Sequence, residues 1–115
     1  MIRKNQKKPI SRIPVYNLKE VKRLVAQDQL YVTSRALQYA REYFRWTQPE
    51  IKRFLLGLRG SHFYKKMRAE DPSWRIEWLD VYRAEMYGKT VYTHFFIQDG
   101  ALVIVNSFKP DESME

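Results

Sequence analysis

An Asp-Gly pair between two runs of strand-forming residues constrains this chain more than any other feature. Asp99 and Gly100 separate an aromatic and β-branched run that begins at Thr90 from a second run that ends at Lys109. Such a pair is typical of a two-residue type I′ turn, because both central residues of that turn need a positive φ. The sequence therefore predicts an antiparallel β-hairpin.

A two-residue turn also predicts which residues of the hairpin face each other. It places Phe96 opposite Val103, and it places Tyr92 diagonal to Lys109 on the face that also carries His94. Backbones of diagonal partners lie about 7–8 Å apart, a gap that long side chains can bridge. Polar positions on an antiparallel sheet are more commonly just solvated. The apolar neighbours Phe96 and Val103 nevertheless favour a groove over an open surface.

Composition limits the classes of function. The 115 residues suit one domain, and the formal net charge of +8 indicates a polyanionic partner, either nucleic acid or an acidic protein. The absence of cysteine excludes a disulfide framework and a thiolate metal site, and only two histidines are present. We therefore expect no metal and no cofactor.

Targeting signals are not predicted. The longest wholly apolar run, residues 101–105, is too short to cross a bilayer. No apolar segment of the kind found in secretory signals follows the basic N-terminus. We therefore expect a cytoplasmic protein that does not engage a membrane.

The two ends of the chain differ in charge. Residues 1–14 contain five basic residues, two prolines and no acid, which predicts a flexible basic arm. Residues 111–115 contain three acids and predict an acidic tail. Residues 15–110 are left as a single folded domain.

Three short amphipathic helices are predicted in the first half of the chain. Asn17 and Thr47 are each followed three residues later by glutamate, which is the capping-box pattern. Thr33 or Ser34 can cap the helix between them. Apolar residues recur at helical spacing after each cap.

The remaining segments predict the sheet. Residues 29–32 favour a short edge strand or an extended link, residues 61–68 a helical turn, residues 74–83 a strand and residues 84–88 a loop. Helices followed by an antiparallel meander of at least three strands make an α+β domain.

Several short blocks of the sequence form a recognisable set. They are Val21-Lys22-Arg23-Leu24-Val25, Thr33-Ser34-Arg35-Ala36-Leu37, Phe63-Tyr64-Lys65 with Met67, Trp78 with Asp80-Val81-Tyr82-Arg83, Val91-Tyr92, and Ser107-Phe108-Lys109. In this order and spacing, from about Leu18 to Lys109, they resemble the motility quorum-sensing regulator (MqsR) family of bacterial toxins.

The resemblance implies both a fold and an activity. The fold is RelE-like, with three short N-terminal helices packed on an antiparallel sheet. The activity is that of a metal-independent endoribonuclease, an mRNA interferase that cuts single-stranded mRNA without the ribosome at sites with GC followed by U or A. The resemblance also implies a cognate antitoxin that joins a zinc-binding domain to a helix-turn-helix DNA-binding domain.

The family's catalytic residues fall on Lys65, Tyr92 and Lys109. One position departs from the family: the best-known member has a glutamine where this chain has Leu79. Glu77 and His94 are the candidates to replace that glutamine.

Tyr64 and Met67, beside the first lysine, are further auxiliary candidates for the site. The aromatic ring of Tyr64 could stack on an unpaired base.

Metal-free RNA cleavage uses the substrate's own 2′-hydroxyl as nucleophile, so the protein must move protons and stabilise charge on the phosphate. Lys65 and Lys109 suit charge stabilisation, and Tyr92 suits proton transfer or orientation of the phosphate; the general base is left open. The alternative is a basic RNA- or antitoxin-binding module that does not cut, which Leu79 favours.

Overall fold

The computed structural model describes residues 13–112, so residues 1–12 of the predicted basic arm and residues 113–115 of the predicted acidic tail lie outside it. The described part contains three α-helices and five strands. In chain order they are α1 (Leu18–Ala26), β1 (Leu30–Val32), α2 (Ser34–Phe44), α3 (Gln48–Leu56), β2 (Phe63–Arg68), β3 (Trp78–Met86), β4 (Lys89–Gln98) and β5 (Leu102–Pro110).

The five strands form one mixed sheet in the order β1-β5-β4-β3-β2. β1 runs parallel to β5, and the other neighbours are antiparallel. The α+β class is confirmed, but the helices are not all N-terminal to the strands, because β1 lies between α1 and α2. The segment that favoured an edge strand is therefore the parallel edge of the sheet.

The predicted caps begin the helices. The Asn17 side chain accepts a hydrogen bond from the Glu20 N–H at 3.1 Å, and the Thr33 hydroxyl accepts one from the Ala36 N–H at 3.3 Å. At α3 the Glu50 carboxylate accepts from both the backbone N–H and the hydroxyl of Thr47 at 2.8 Å. These bonds satisfy N–H and hydroxyl groups that would otherwise depend on water.

The main core lies between the helices and one face of the sheet. Phe108 of β5 is at its centre, with its ring edge-on to Phe44 and Phe54 at centroid distances of 5.8 and 5.3 Å. Other fully buried members are Val21, Val25, Ala40, Ile51, Leu55, Val91, Phe95, Val103 and Val105. Burial of each large side chain contributes about 1.5–3 kcal/mol, so this layer holds the helices on the sheet.

A smaller apolar cluster lies on the opposite face of the sheet. Leu79, Phe96 and Ile104 form its buried centre, and the Trp74 ring packs on Phe96 at a centroid distance of 5.3 Å. Because neighbouring residues of a strand point to opposite faces, Phe95 belongs to the main core and Phe96 to this cluster. The predicted sharing of one face by Phe96 and Val103 is therefore wrong.

The turn of the hairpin has the predicted geometry. Asp99 and Gly100 both have a positive φ, at 54° and 67°, and the Ala101 N–H donates to the Gln98 carbonyl at 3.0 Å. The ladder, however, pairs Gln98 with Leu102, so Ala101 is left out of the pairing.

The predicted register is wrong as a result. Phe96 faces Ile104, and a β-bulge inserts Asn106 between the partners of His94 and Phe95, so Tyr92 faces Lys109 directly. The shift places Val103 and Val105 in the main core, so the register buries the apolar face of β5.

Three further predictions are corrected by the structure. Residues 61–68 are not a helical turn; they end a 3₁₀ turn at Gly60–His62 and then form β2 along the edge of β3. The strand expected to begin at Trp74 begins at Trp78, after a 3₁₀ turn at Pro72–Trp74, and it runs to Met86. A tight turn at Tyr87 and Gly88, both with positive φ, replaces most of the expected loop.

The segment before α1 is attached to β3. The buried carboxylate of Asp80 accepts hydrogen bonds from the N–H groups of Val15 and Tyr16 at 2.9 and 2.8 Å. The Tyr16 hydroxyl donates to the Trp78 carbonyl at 2.8 Å. Within residues 13–112, no helix is long and apolar enough to cross a membrane.

Candidate active site

Two rows of cross-strand partners bring polar side chains to the sheet face that carries the smaller cluster. One row runs from Lys65 through Val81 and His94 to Ser107. The neighbouring row runs from Arg83 through Tyr92 to Lys109. The prediction that Tyr92, His94 and Lys109 share a face is confirmed by this pairing.

A cavity of about 540 Å³ opens above these rows. It contains all three residues predicted to be catalytic, Lys65, Tyr92 and Lys109. The other lining residues are Tyr39, Tyr43, Tyr64, Pro110, Asp111 and Glu112. We call this space the lysine cavity.

A β-bulge places Tyr64 beside Lys65. The pairing of β2 with β3 shifts between Phe63 and Lys65, which leaves Tyr64 as the extra residue. Its ring lies under the Arg83 guanidinium at 4.3 Å and 5.2 Å from the Lys65 ammonium. Such bulges redirect a side chain and are frequent beside active sites. Tyr64 therefore forms one wall of the cavity.

Tyr92 has a partly buried phenol between charged neighbours. The Lys109 ammonium lies 5.2 Å from the centre of its ring. Burial raises the pKa of Tyr92, the nearby Tyr64 and Asp111 raise it further, and Arg83 opposes them. The Tyr92 hydroxyl is therefore protonated at neutral pH and can donate a proton or a hydrogen bond.

Arg83 is engaged by a buried carboxylate. Its Nε donates to the Asp111 carboxylate at 2.7 Å, and Asp111 is only 3% exposed. The hydrogen bond from this guanidinium to Asp111 raises the pKa of Arg83. Neither Lys65 nor Lys109 belongs to an ion pair among the residues that the structure describes. Lys65 and Lys109 are therefore the cations that line the lysine cavity and remain available to a ligand.

A second cavity, of about 580 Å³, adjoins the first and shares Tyr39 and Lys109 with it. We call it the histidine cavity because His94 lies on its wall. The bulge residue Asn106 holds that ring, with its amide oxygen 2.7 Å from His94 Nδ1. With an amide oxygen as acceptor, the ring proton is on Nδ1 and Nε2 keeps a lone pair.

The ionisation of His94 follows from its surroundings. Burial lowers its pKa, the hydrogen bond to Asn106 raises it, and the positive charge of Lys109 lowers it. The net effect lowers the pKa, so the imidazole is neutral at pH 7 and can accept a proton at Nε2. Its ring is 6.0 Å from the Tyr92 ring, centre to centre.

The auxiliary candidates divide between the cavities. Tyr64 lines the lysine cavity, and Met67 lines the histidine cavity with His94. Glu77 precedes β3, is exposed, pairs with Arg68 at 3.0 Å, and lines neither cavity. Because β3 begins at Trp78, Glu77 lies just outside the strand that carries Leu79.

Several residues of the two cavities were not predicted. The sequence could have predicted that Tyr39 and Tyr43 lie together, because they are four residues apart on one helix and share a face. Arg83 with Asp111, and Asn106 with His94, depend on pairing between distant strands and on bulges. No local sequence pattern indicates either contact.

A comparison with models of known protein families shows to which family this chain belongs. The family described as motility quorum-sensing regulator, toxin of MqsA, matches residues 13–110. The chain belongs to the MqsR toxin family. It is accordingly a toxin of a toxin–antitoxin system, with a cognate antitoxin as partner. No curated protein is similar enough to extend the comparison.

The match covers the histidine cavity of this MqsR-family toxin and all of its lysine cavity except Asp111 and Glu112. All three predicted catalytic residues and His94 lie within its limits. Within residues 13–112, no group of three or more histidine and carboxylate side chains is arranged to hold a metal ion.

Proposed function

We propose that this toxin is a metal-independent endoribonuclease that cuts single-stranded mRNA without the ribosome. The observation that carries the proposal is the convergence of Lys65, Tyr92 and Lys109 on one cavity. The preference for GC-containing sites, the cytoplasmic location, and an antitoxin with zinc-binding and helix-turn-helix domains belong to the same proposal and rest on the family resemblance.

Charge stabilisation is the role of the two lysines in this mechanism. Attack of the 2′-hydroxyl on the adjacent phosphorus adds negative charge to the phosphate oxygens, and ammonium groups placed there in advance lower the barrier. Lys65 and Lys109 approach the cavity from β2 and β5, on either side of Tyr92. A phosphate between them would be held from two directions.

Tyr92 is the proton donor in the proposed reaction. As the new 2′-oxygen–phosphorus bond forms, the bond from phosphorus to the 5′-oxygen breaks, and the leaving oxygen needs a proton. The raised pKa of Tyr92 keeps its hydroxyl protonated for this transfer. The products are a 2′,3′-cyclic phosphate and a 5′-hydroxyl. The cycle closes when the base that took the proton of the 2′-hydroxyl gives it up to solvent and the Tyr92 phenolate takes one back.

His94 is the base in the proposed reaction and takes the proton of the 2′-hydroxyl at Nε2. It stands next to Tyr92 on the same face of β4, so one phosphate can lie within reach of both rings. Asn106 orients the imidazole through Nδ1. The role that a glutamine has at position 79 in the best-known relative is not needed for this proton transfer.

The test is cleavage of a long unstructured RNA in EDTA, with mapping of the new 5′ ends. Lys65→Ala and Lys66→Ala form a matched pair, because Lys66 is adjacent on β2 but lies against the Trp78 ring at 4.3 Å. We expect discrete cuts that Lys65→Ala reduces about 100- to 1,000-fold and Lys66→Ala leaves nearly unchanged. Equal loss in both variants, or loss of all cutting in EDTA, would contradict the proposal.

A second candidate function is a basic binding module that does not cut. Leu79 favours it, because a buried apolar side chain replaces the family's glutamine on the wall of the histidine cavity. This module would bind RNA and release no new 5′ ends at any protein concentration. Retained RNA binding by Lys65→Ala with loss of cutting requires the enzyme instead.

A further inference from the structure

Two tyrosines of α2 form an aromatic wall of the lysine cavity. Tyr39 and Tyr43 are four residues apart, and their rings meet edge to face at 5.8 Å and 82°. Tyr43 is 58% exposed although it is a large aromatic residue. The buried face of the same helix is made by Ala36, Ala40 and Phe44, so the helix does not need these rings for its packing.

The position of the tyrosine wall relates it to the lysines. Both tyrosines line the lysine cavity, and Tyr39 also lines the histidine cavity, so it lies where the two spaces adjoin. Lys109 is shared by both cavities in the same way. Aromatic rings and ammonium groups therefore line the same pair of adjoining cavities.

Such a combination suits a single-stranded nucleic acid, which offers flat bases and phosphates to the same surface. Bases that are not paired stack on aromatic side chains, whereas bases inside a duplex are not available for stacking. A protein partner with an acidic surface would pair with the lysines but would gain little from an exposed ring face. The combination thus favours RNA bases over a protein as the occupant.

We infer that Tyr43, supported edge-on by Tyr39, is a stacking platform for an unpaired nucleobase next to the phosphate held by Lys65 and Lys109. The inference rests on the proposed function and adds to it the site that holds a base of the substrate. Stacking on a tyrosine is tolerant of base identity, so the platform contributes affinity and position rather than sequence preference.

The experiment measures binding and cleavage separately. A short fluorescent RNA with a 2′-deoxy nucleotide at the mapped cut site gives the affinity without cleavage. Tyr43→Ala is compared with Tyr43→Phe, which keeps the ring, and with Tyr31→Ala, which removes a tyrosine that is 52% exposed on β1 and lies outside both cavities. We expect about 5- to 150-fold weaker binding for Tyr43→Ala, and little change for the other two variants.

An RNA with one abasic nucleotide beside the cut site identifies the stacked base. The wild-type protein should bind it as weakly as Tyr43→Ala binds the intact RNA, and Tyr43→Ala should lose nothing further. Additive losses, or unchanged affinity of Tyr43→Ala for the intact RNA, would overturn the inference and leave the tyrosines to a protein partner. If the proposed function is wrong, the wild-type protein will not cleave unmodified RNA, whereas the effect of Tyr43→Ala on RNA binding can still be present.

Discussion

Leu79→Gln introduces the residue of the best-known family member at a position that is buried in this fold. Leu79 is 2% exposed and packs in the smaller cluster with Phe96 and Ile104. Loss of a buried leucine removes about 1.5–3 kcal/mol of burial free energy. An amide buried without a hydrogen bond costs about 1–3 kcal/mol more. Because the methylenes of glutamine recover part of the first loss, we expect the free energy of unfolding to fall by about 2–4 kcal/mol.

Urea unfolding followed by circular dichroism measures this change. With a slope near 1.5 kcal/mol/M, the midpoint of the Leu79→Gln transition should be about 1–3 M lower than that of the wild type. Leu79→Met keeps the volume and the apolar character, and we expect it to cost less than about 1.5 kcal/mol. An unchanged midpoint for Leu79→Gln would contradict this expectation and would mean that the glutamine side chain reaches water in the histidine cavity.

Three other predictions concern polar groups that are buried or partly buried. The Tyr82 hydroxyl is buried with no hydrogen-bond partner in the described part of the chain. Because Tyr82→Phe removes this unsatisfied group, it should raise the free energy of unfolding by about 1 kcal/mol. Thermal denaturation measures the change, and a lower melting temperature would contradict the prediction. The pKa of His94 lies below its ordinary value of 6.5, so near that pH the folded chain binds fewer protons than the unfolded chain. The resulting stability is present above pH 6.5 and should be lost as the pH falls below 6.5. His94→Gln should remove this part of the pH dependence of the melting temperature. Asn106→Ala removes the hydrogen bond that raises the pKa of His94, so the acid limb of kcat/KM against pH should move to lower pH; an unmoved limb would show that His94 is not the base.

Local interactions explain which parts of the fold could be predicted from the sequence. Asn17 and Thr47 cap their helices through bonds that span three residues, so their effect is readable in a short window. The positive φ values at Asp99 and Gly100 likewise follow from the residues of the turn itself. The register beyond that turn was not predictable in the same way, because it depends on which valines the helices bury.

The candidate site shows the same division. The alternation of residues along a strand predicted that Tyr92 and His94 share one face. Lys65 was predicted only by the family resemblance, because the helical turn expected for residues 61–68 would not have placed it on the sheet. The bulges at Tyr64 and Asn106 shape the two cavities, and each depends on a partner strand distant in sequence. Patterns in a single sequence do not indicate which distant strand will be the partner.

The proposed reaction of this toxin cuts RNA without a metal by means of the substrate's own 2′-hydroxyl. Two RNAs of one sequence, differing only in a 2′-deoxy nucleotide on the 5′ side of the mapped cut, test it under single-turnover conditions in EDTA. We expect cleavage of the unmodified RNA to a 2′,3′-cyclic phosphate and a 5′-hydroxyl, and no cleavage of the modified RNA at that site. Equal cleavage of both RNAs, or cleavage of neither, would contradict it.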